Sequence, residues 1–138
     1  MASSAAPIRV LLVEDDQLFL EALATLLEAD ERIRVVGTAR DGRAGVDQAL
    51  RLRPDIVTMD IEMPVLDGVE ATREIIAAQL PTKVVLVSAS RDAERAELAR
   101  RLGASAYVTK SRAADFLVPT IIAVAGGRDV SSSPTPER

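Results

Sequence analysis

Short apolar runs alternate with amphipathic segments along most of the chain. The first run, Ile8 to Val13, is rich in β-branched residues, and apolar side chains then recur at helical spacing from Leu18 to Leu27. Apolar runs without alternating polar residues are typical of strands that are buried on both faces. The full pattern predicts strands at 8–13, 33–36, 56–59, 84–87 and 105–109, and later helices at about 42–52, 67–78, 92–102 and 112–125.

Five strands that alternate with five helices predict an α/β domain of (βα)5 order. In such a domain a five-stranded parallel sheet is doubly wound, with helices covering both of its faces. We expect the folded domain at residues 8–127, between a flexible N-terminus at 1–7 and a flexible tail or the start of a linker at 128–138. Pro119 has no N–H to donate, so the last helix should kink there or become regular only near Val118.

Aspartates stand where three of the helices should begin. Asp15 or Asp16 can cap the first helix, Asp41 the second and Asp67 the third, because an aspartate side chain accepts hydrogen bonds from the first free N–H groups of a helix. Asp67 also begins a D-x-x-E capping pattern.

Composition removes several classes of function. The 138 residues include no cysteine and no histidine, which excludes disulfides, thiolate or imidazole zinc sites and Ser-His triads. A net charge of −4 and an aromatic content of 2% argue against direct nucleic-acid binding by this domain. No apolar run approaches the ~20 residues that span a bilayer, and no signal-peptide pattern is present, so we expect a cytoplasmic protein without membrane contact.

Reactive side chains stand at the predicted carboxyl ends of four strands. The first strand ends in Glu14, Asp15 and Asp16, the third in Asp60, the fourth in Ser88 and the fifth in Lys110. The second strand ends without evident chemistry at residues 38–40. Ligands of an open parallel sheet bind outside these ends, so the topology should bring the four groups together.

Crowded carboxylates repel one another unless a cation compensates their charge. Two carboxylates, a backbone carbonyl and waters form the ligand set that suits Mg²⁺. Lys110 and Ser88 add donors for an anion. The set therefore predicts phosphoryl transfer, in which a carboxylate can act as the nucleophile.

Four stretches resemble the receiver domain of two-component response regulators. They are LVED at 12–15, DIVTMDIEMPVLDG at 55–68, VLVSA at 85–89 and GASAYVTK at 103–110. They lie in the order and at the separations typical of the family, and the resemblance covers about residues 8–127. It implies the flavodoxin-like receiver fold.

The resemblance also implies a role for each acidic residue. Asp60 would be the phospho-accepting nucleophile and a ligand of Mg²⁺. Asp15 would bind the ion directly, Glu14 through a water, and Glu62 through its backbone carbonyl while its side chain points to solvent.

The remaining strand-end residues would act on the phosphoryl group or respond to it. Lys110 would pair with one phosphoryl oxygen, and Ser88 would hydrogen-bond another. Tyr107 would change rotamer as that hydroxyl is drawn in, so that Ser88 and Tyr107 form the switch. The implied donor is a phosphohistidine of a sensor histidine kinase or a phosphotransfer protein. The implied output is a change of partner or a phosphorylation-dependent homodimer, through strand five and the last two helices.

Other interpretations stay open at this point. A Mg²⁺-dependent phosphatase with an aspartate nucleophile would place D-x-D after the first strand, whereas Asp60-Ile-Glu62 follows the third. A catalytically inactive receiver-like domain is a further alternative, against which the intact set of Asp15, Asp60, Ser88 and Lys110 argues. Residues 117–127 resemble receivers that precede a helix-turn-helix, and 61–64 with 87–90 resemble receivers of chemotaxis methylesterases. We expect a stand-alone receiver, or one truncated from a transcriptional regulator, and not an enzyme that acts on metabolites.

Overall fold

The computed structural model describes residues 6–89 and 93–127. Within these ranges the chain forms five strands and five α-helices in strict alternation, which confirms the predicted (βα)5 order. The predictions for residues 1–5 and 128–138, and the predicted start of the fourth helix at Asp92, lie outside the described residues.

The strands form one parallel sheet. They are β1 (Ile8–Val13), β2 (Ile33–Ala39), β3 (Ile56–Met59), β4 (Lys83–Ser88) and β5 (Ala106–Thr109). Their order across the sheet is β2-β1-β3-β4-β5, and each neighbouring pair is parallel. The chain leaves β1 toward β2 and later returns to the other side of β1 with β3. The carboxyl ends of β1 and β3 therefore flank the switch point at which open α/β sheets bind their ligands.

The helices begin largely where capping residues place them. They are α1 (Gln17–Glu28), α2 (Gly42–Leu52), α3 (Gly68–Ala77), α4 (Ala93–Arg101) and α5 (Ala113–Ala125). The side chains of Asp16, Asp41 and Asp67 accept backbone N–H groups at the starts of α1, α2 and α3. Asp16, and not Asp15, thus caps α1, which leaves Asp15 available for other contacts. No helix in the described ranges is both long enough and apolar enough to cross a bilayer.

The core consists of two apolar layers, one on each face of the sheet. Successive side chains of β1 point to opposite faces. Leu11 and Val13 join the layer under α2 and α3, and Val10 and Leu12 join the layer under α1 and α5. All four are at most 2% exposed. Burial on both faces explains why the strands contain so few polar residues.

Two element boundaries need a structural explanation, whereas β4, β5 and α3 differ from the sequence prediction by only one residue at one or both ends. β2 continues to Ala39 because its pairing with β1 resumes after an irregularity between Val10 and Leu11, although Gly37 and Thr38 interrupt the apolar pattern. A short 3₁₀ turn at Lys110–Arg112 leads into a helix that already begins at Ala113.

The onset near Val118 that Pro119 suggested is therefore wrong. Pro119 is accommodated inside α5 because it and Asp115, whose carbonyl loses the bond, are both exposed, so that water can replace the missing donor.

Candidate functional site

The ends of β1 and β3 bring three carboxylates together. Val13 lies opposite Met59 in the paired strands, and the Asp60 N–H donates to the Val13 carbonyl at 3.1 Å, one residue beyond the ladder. Glu14, Asp15 and Asp60 each offer one carboxylate oxygen, and these oxygens lie within 4.8 Å of one another. The predicted acidic cluster is thus present at the switch point of the sheet.

Lys110 reaches this cluster from the end of β5. Its Nζ lies 2.9 Å from Glu14 Oε1 and 3.5 Å from Asp60 Oδ2. Glu14 is only 1% exposed and Asp60 only 3%, so the ammonium bridges two buried carboxylates. The other oxygen of Glu14, Oε2, accepts the Asp16 N–H at 2.9 Å. Both oxygens of Glu14 are therefore already engaged by the protein.

Burial and charge oppose each other at Asp60. Burial raises the pKa of Asp60 to about 7, and the negative charge of Glu14 acts in the same direction. Lys110 and the backbone N–H of Glu62 act against this rise in the pKa of Asp60 without cancelling it. Burial also lowers the pKa of Lys110, but its hydrogen bond to Glu14 and the charge of Asp60 outweigh that effect and leave the pKa raised. The lysine stays charged, and a further cation beside the carboxylates would favour ionised Asp60.

The loop after Asp60 packs closely against it because residue 68 is glycine. A Cβ at Gly68 would lie 2.1 Å from the Asp60 carbonyl oxygen, and the Gly68 N–H donates to the Ile61 carbonyl at 2.7 Å. This loop brings the Glu62 N–H to the Asp60 carboxylate, while the Glu62 side chain is exposed as predicted. The role of the Glu62 carbonyl as a metal ligand stays a prediction.

Ser88 and Tyr107 lie on the two strands beyond β3, on the side of Lys110. Ser88 ends β4, is 1% exposed and lies opposite Thr109. Tyr107 lies opposite Leu86, is half-buried and packs against the layer under α2 and α3. The switch roles of Ser88 and Tyr107 stay predictions.

Two residues at the site were not predicted from the sequence. The Phe19 ring, which belongs to the apolar helical pattern of residues 18–27, lies under the Lys110 ammonium, with 4.7 Å from Nζ to the ring centroid. Arg40 follows β2, where we expected no chemistry, yet it donates to the Asp15 carbonyl at 3.2 Å and to Gln17 Oε1 at 2.7 Å. Arg40 thus holds the main chain at Asp15.

Comparison with known families supports the same interpretation of the site. The sequence profile of the response regulator receiver domain matches residues 10–122. The chain belongs to the response regulator receiver family. This assignment confirms the flavodoxin-like receiver fold expected from the motifs.

Two relatives of this receiver differ in the activity of the whole protein. A protein-glutamate methylesterase/protein-glutamine glutaminase from Symbiobacterium thermophilum is 52% identical over 107 residues, which cover 75% of this chain and 29% of that protein. The transcriptional regulatory protein LnrK from Bacillus subtilis is 37% identical over 120 residues, which cover 87% of this chain and 54% of that protein. The chain therefore spans less than a third of the first relative and about half of the second.

Solved receiver structures superimpose closely. The response regulator domain of Thermotoga maritima CheB is 34% identical, with a TM-score of 0.81 over 87% of this chain and 97% of that one. A two-component response regulator of the LuxR family from Aurantimonas sp. SI85-9A1 is 32% identical, with a TM-score of 0.86 over 94% of this chain and 91% of that one.

Proposed function

We propose that this chain is the phospho-accepting receiver of a two-component system. Asp60 takes a phosphoryl group from a phosphohistidine of a sensor histidine kinase or a phosphotransfer protein, with Mg²⁺ at the carboxylate cluster. One observation carries the proposal: a lysine bridges Glu14 and Asp60, at 2.9 and 3.5 Å, in a cluster of three carboxylates at the switch point of the sheet.

The carboxylate cluster suits Mg²⁺ in both chemistry and spacing. Three carboxylate oxygens within 4.8 Å of one another would hold one hard cation directly or through water, with the Glu62 carbonyl as a further ligand. Glu14 would act through a water, because Lys110 and the Asp16 N–H engage its two oxygens. Asp15 caps no helix and would bind the ion directly. When bound, Mg²⁺ supplies charge neutralisation to the phosphoryl oxygens.

The chemistry is a displacement at phosphorus. A carboxylate oxygen of Asp60 attacks the phosphorus and forms an acyl phosphate, while the P–N bond to the donor histidine breaks and its electron pair stays on the imidazole nitrogen. Lys110 pairs with a phosphoryl oxygen and offsets the charge that arrives beside Glu14. Dephosphorylation follows when a water attacks the phosphorus, the P–O bond to Asp60 breaks, and inorganic phosphate leaves.

Ser88 and Tyr107 transmit the effect of phosphorylation at Asp60 to the surface of the domain. The Ser88 hydroxyl donates a hydrogen bond to a phosphoryl oxygen and moves toward it. This movement changes the space near Tyr107, whose half-buried ring then adopts a different rotamer. One added charge thus biases a two-state element. The altered surface of β5, α4 and α5 then selects a partner or a second copy of the chain.

These two relatives favour regulation of an output rather than turnover of a metabolite. One is a methylesterase and the other a transcriptional regulator, and both match this chain over only part of their length. The chain's own catalysis is limited to its phosphorylation and dephosphorylation. The higher identity, 52%, favours a methylesterase-type output over a transcriptional one.

Mass spectrometry with phosphoramidate as a small phosphodonor tests the proposal. The wild-type protein should gain one phosphoryl group in the presence of Mg²⁺, and chelation by EDTA should prevent this. Asp60→Ala should abolish the gain, whereas Asp47→Ala, at an exposed carboxylate on α2, should leave it unchanged. An unmodified wild type would refute the function, and a phosphorylated Asp60→Ala would refute the site. Steady release of phosphate from a phosphate monoester would favour the phosphatase.

A further inference from the structure

We propose that Phe19 is a positioning residue for phosphoryl transfer, whose ring face holds the Lys110 ammonium at the carboxylate cluster. The inference rests on the proposed function, because Lys110 acts on the phosphoryl group there. The juxtaposition of Phe19 with Lys110 does not depend on that function.

Phe19 is fixed at the first turn of α1, beside the site. Its backbone N–H donates to the capping side chain of Asp16 at 3.3 Å, and its half-buried ring packs on the layer under α1 and α5. Lys110 Nζ lies over this ring at 4.7 Å from the centroid, within the ~6 Å over which a cation is attracted to an aromatic face. The backbone of Phe19 is thus held by the helix cap and its ring by the apolar layer, which supports the ring beneath the lysine.

Lys110 needs such a support because its other contacts change during the reaction. Lysine ends a flexible stem of four carbons, and ordering it costs conformational entropy. Glu14 and Asp60 hold the ammonium at 2.9 and 3.5 Å, but both belong to the proposed metal and phosphoryl site. As Asp60 is modified and a cation is bound, each carboxylate gains a new partner. The Phe19 ring gains none.

An aromatic ring has a further advantage over a fourth carboxylate. It attracts the ammonium without adding negative charge to Glu14, Asp15 and Asp60, which already repel one another. It also leaves the N–H groups of the lysine available to a phosphoryl oxygen. Phe19 should therefore speed phosphoryl transfer without altering Mg²⁺ binding.

Phe116 on α5 provides a matched control. Its ring is also half-buried and packs on the same layer, but it lies near Arg112, with 5.9 Å from the guanidinium carbon to the ring centroid. Phe116→Leu makes the same side-chain change as Phe19→Leu in a ring that packs against the same apolar layer. Only Phe19→Leu removes the support of Lys110.

Lysine NMR in the absence of Mg²⁺ tests the contact itself. The chain has only two lysines, so protein labelled with ¹³C at lysine Cε gives two signals, which Lys83→Arg assigns. The ring current of Phe19 should move the Lys110 Hε signal upfield of that of exposed Lys83. Phe19→Leu should remove this displacement, and Phe116→Leu should preserve it. A displacement that survives Phe19→Leu would overturn the inference.

Phosphorylation kinetics with phosphoramidate test the role of the contact. At saturating Mg²⁺, Phe19→Leu should lower the rate constant about three- to tenfold, whereas Phe19→Tyr and Phe116→Leu should stay within about twofold of wild type. The Mg²⁺ dissociation constant should stay within about twofold in all variants, because a general disturbance of the site would weaken binding as well. Equal rates in Phe19→Leu and Phe116→Leu would contradict the proposal.

A fluorinated residue tests the same contact if Phe19→Leu fails to fold. Replacing Phe19 with 3,4,5-trifluorophenylalanine nearly preserves the shape of the ring but weakens the negative charge of its face, so the rate constant should still fall. An unchanged rate would show that only the volume of the ring matters. A wild type that is not phosphorylated, yet has a displaced Lys110 signal, would refute the proposed function and retain the contact.

Discussion

At the scale of single residues, the ionisation of Asp60 is unfavourable in the folded protein, and a bound cation would make it more favourable. The carboxyl group is 3% exposed and lies near Glu14, and burial raises its pKa to about 7. Without a metal ion, an ionised Asp60 therefore destabilises the fold at neutral pH. The same residue becomes a usable nucleophile when positive charge is added.

Asp60→Asn should stabilise the Mg²⁺-free protein at pH 8, by about 1–3 kcal/mol, and by less at pH 5. The folded wild type binds a proton at Asp60 up to about pH 7, whereas the unfolded chain releases it near pH ~4. The free energy of unfolding of the wild type thus falls as the pH rises through this window, and that of the variant lacks this contribution. Urea unfolding in EDTA at both pH values measures the difference.

Asp47→Asn is the control, because this carboxylate is exposed and its removal should change stability by only a few tenths of a kcal/mol (about 0.5 at most) at either pH. Added Mg²⁺ should narrow the gap between Asp60→Asn and wild type. If Asp60→Asn is no more stable than wild type at pH 8, the buried carboxylate of Asp60 does not destabilise the fold as proposed.

Two buried threonines should respond in opposite ways to the same substitution. Thr72 Oγ1 on α3 is the one buried side-chain polar atom without a hydrogen-bond partner in the described part of the chain. Thr82 Oγ1, also buried, donates to the Pro54 carbonyl at 2.6 Å. Thr72→Val should raise the free energy of unfolding by up to about 1 kcal/mol, and Thr82→Val should lower it by about 1–2 kcal/mol.

Urea unfolding of the two variants under the same conditions compares these effects. An equal loss in both variants would show that the Thr72 hydroxyl has a partner in solution.

Most of the site could be predicted from the sequence because it lies at strand ends. A parallel sheet gathers these ends at one edge, so Asp15, Asp60 and Lys110 needed only a correct strand order to become neighbours. Phe19 and Arg40 could not be predicted in this way. Their contacts depend on how α1 and the loop after β2 pack against the sheet, and hydrophobic periodicity does not encode such packing.

At the scale of elements, Arg9 of β1 ties the end of α2 to the sheet. Its guanidinium donates to the carbonyls of Arg53 and Leu52 at 2.8 and 3.0 Å. The backbone N–H of Arg9 donates to Asp55 Oδ2 at 2.9 Å. α2 ends with Arg53 at a φ of 48° and not with a glycine. A side chain from another element therefore satisfies carbonyls that the helix leaves open.

Arg9→Ala should lower the free energy of unfolding by about 1–2 kcal/mol, because two carbonyls at the end of α2 lose their donors. Arg34→Ala is the matched control, since Arg34 lies directly opposite Arg9 on β2 and is exposed. Urea unfolding compares the two variants, and hydrogen exchange should show faster opening of α2 in Arg9→Ala alone. Equal losses of stability would argue that the side chain acts only through strand propensity.

The elements themselves followed from the sequence more reliably than their ends did. β1, β3 and α2 have the predicted bounds because apolar runs and capping aspartates agree there. β2 is longer than predicted because backbone pairing with β1 extends over Gly37 and Thr38, which do not look like strand residues. Pairing partners that lie far apart in the sequence thus decide where a strand stops.

At the scale of the whole molecule, the site and several stabilising contacts lie at opposite ends of the strands. The carboxyl edge carries Glu14 and Asp60, whose burial and mutual repulsion raise the pKa of Asp60, and Lys110 offsets only part of this effect. The opposite edge carries ties such as Arg9 to α2 and Thr82 to Pro54, which hold helices and loops to the strands. A cation at the carboxyl edge would offset the repulsion between Glu14 and Asp60, and the contacts of Arg9 and Thr82 do not involve these carboxylates.

Mg²⁺ should therefore stabilise the folded chain as a whole, and Asp15 should control the effect. A ligand that binds only the folded state adds about 2.7 kcal/mol at ~100 times its dissociation constant. Thermal unfolding should accordingly shift upward with Mg²⁺ in the wild type, and Asp15→Asn should lose most of that shift. Asp16→Asn is the matched control, because asparagine also caps helices and Asp16 caps α1. A wild type without a shift, or equal losses in both variants, would contradict a metal site at Asp15.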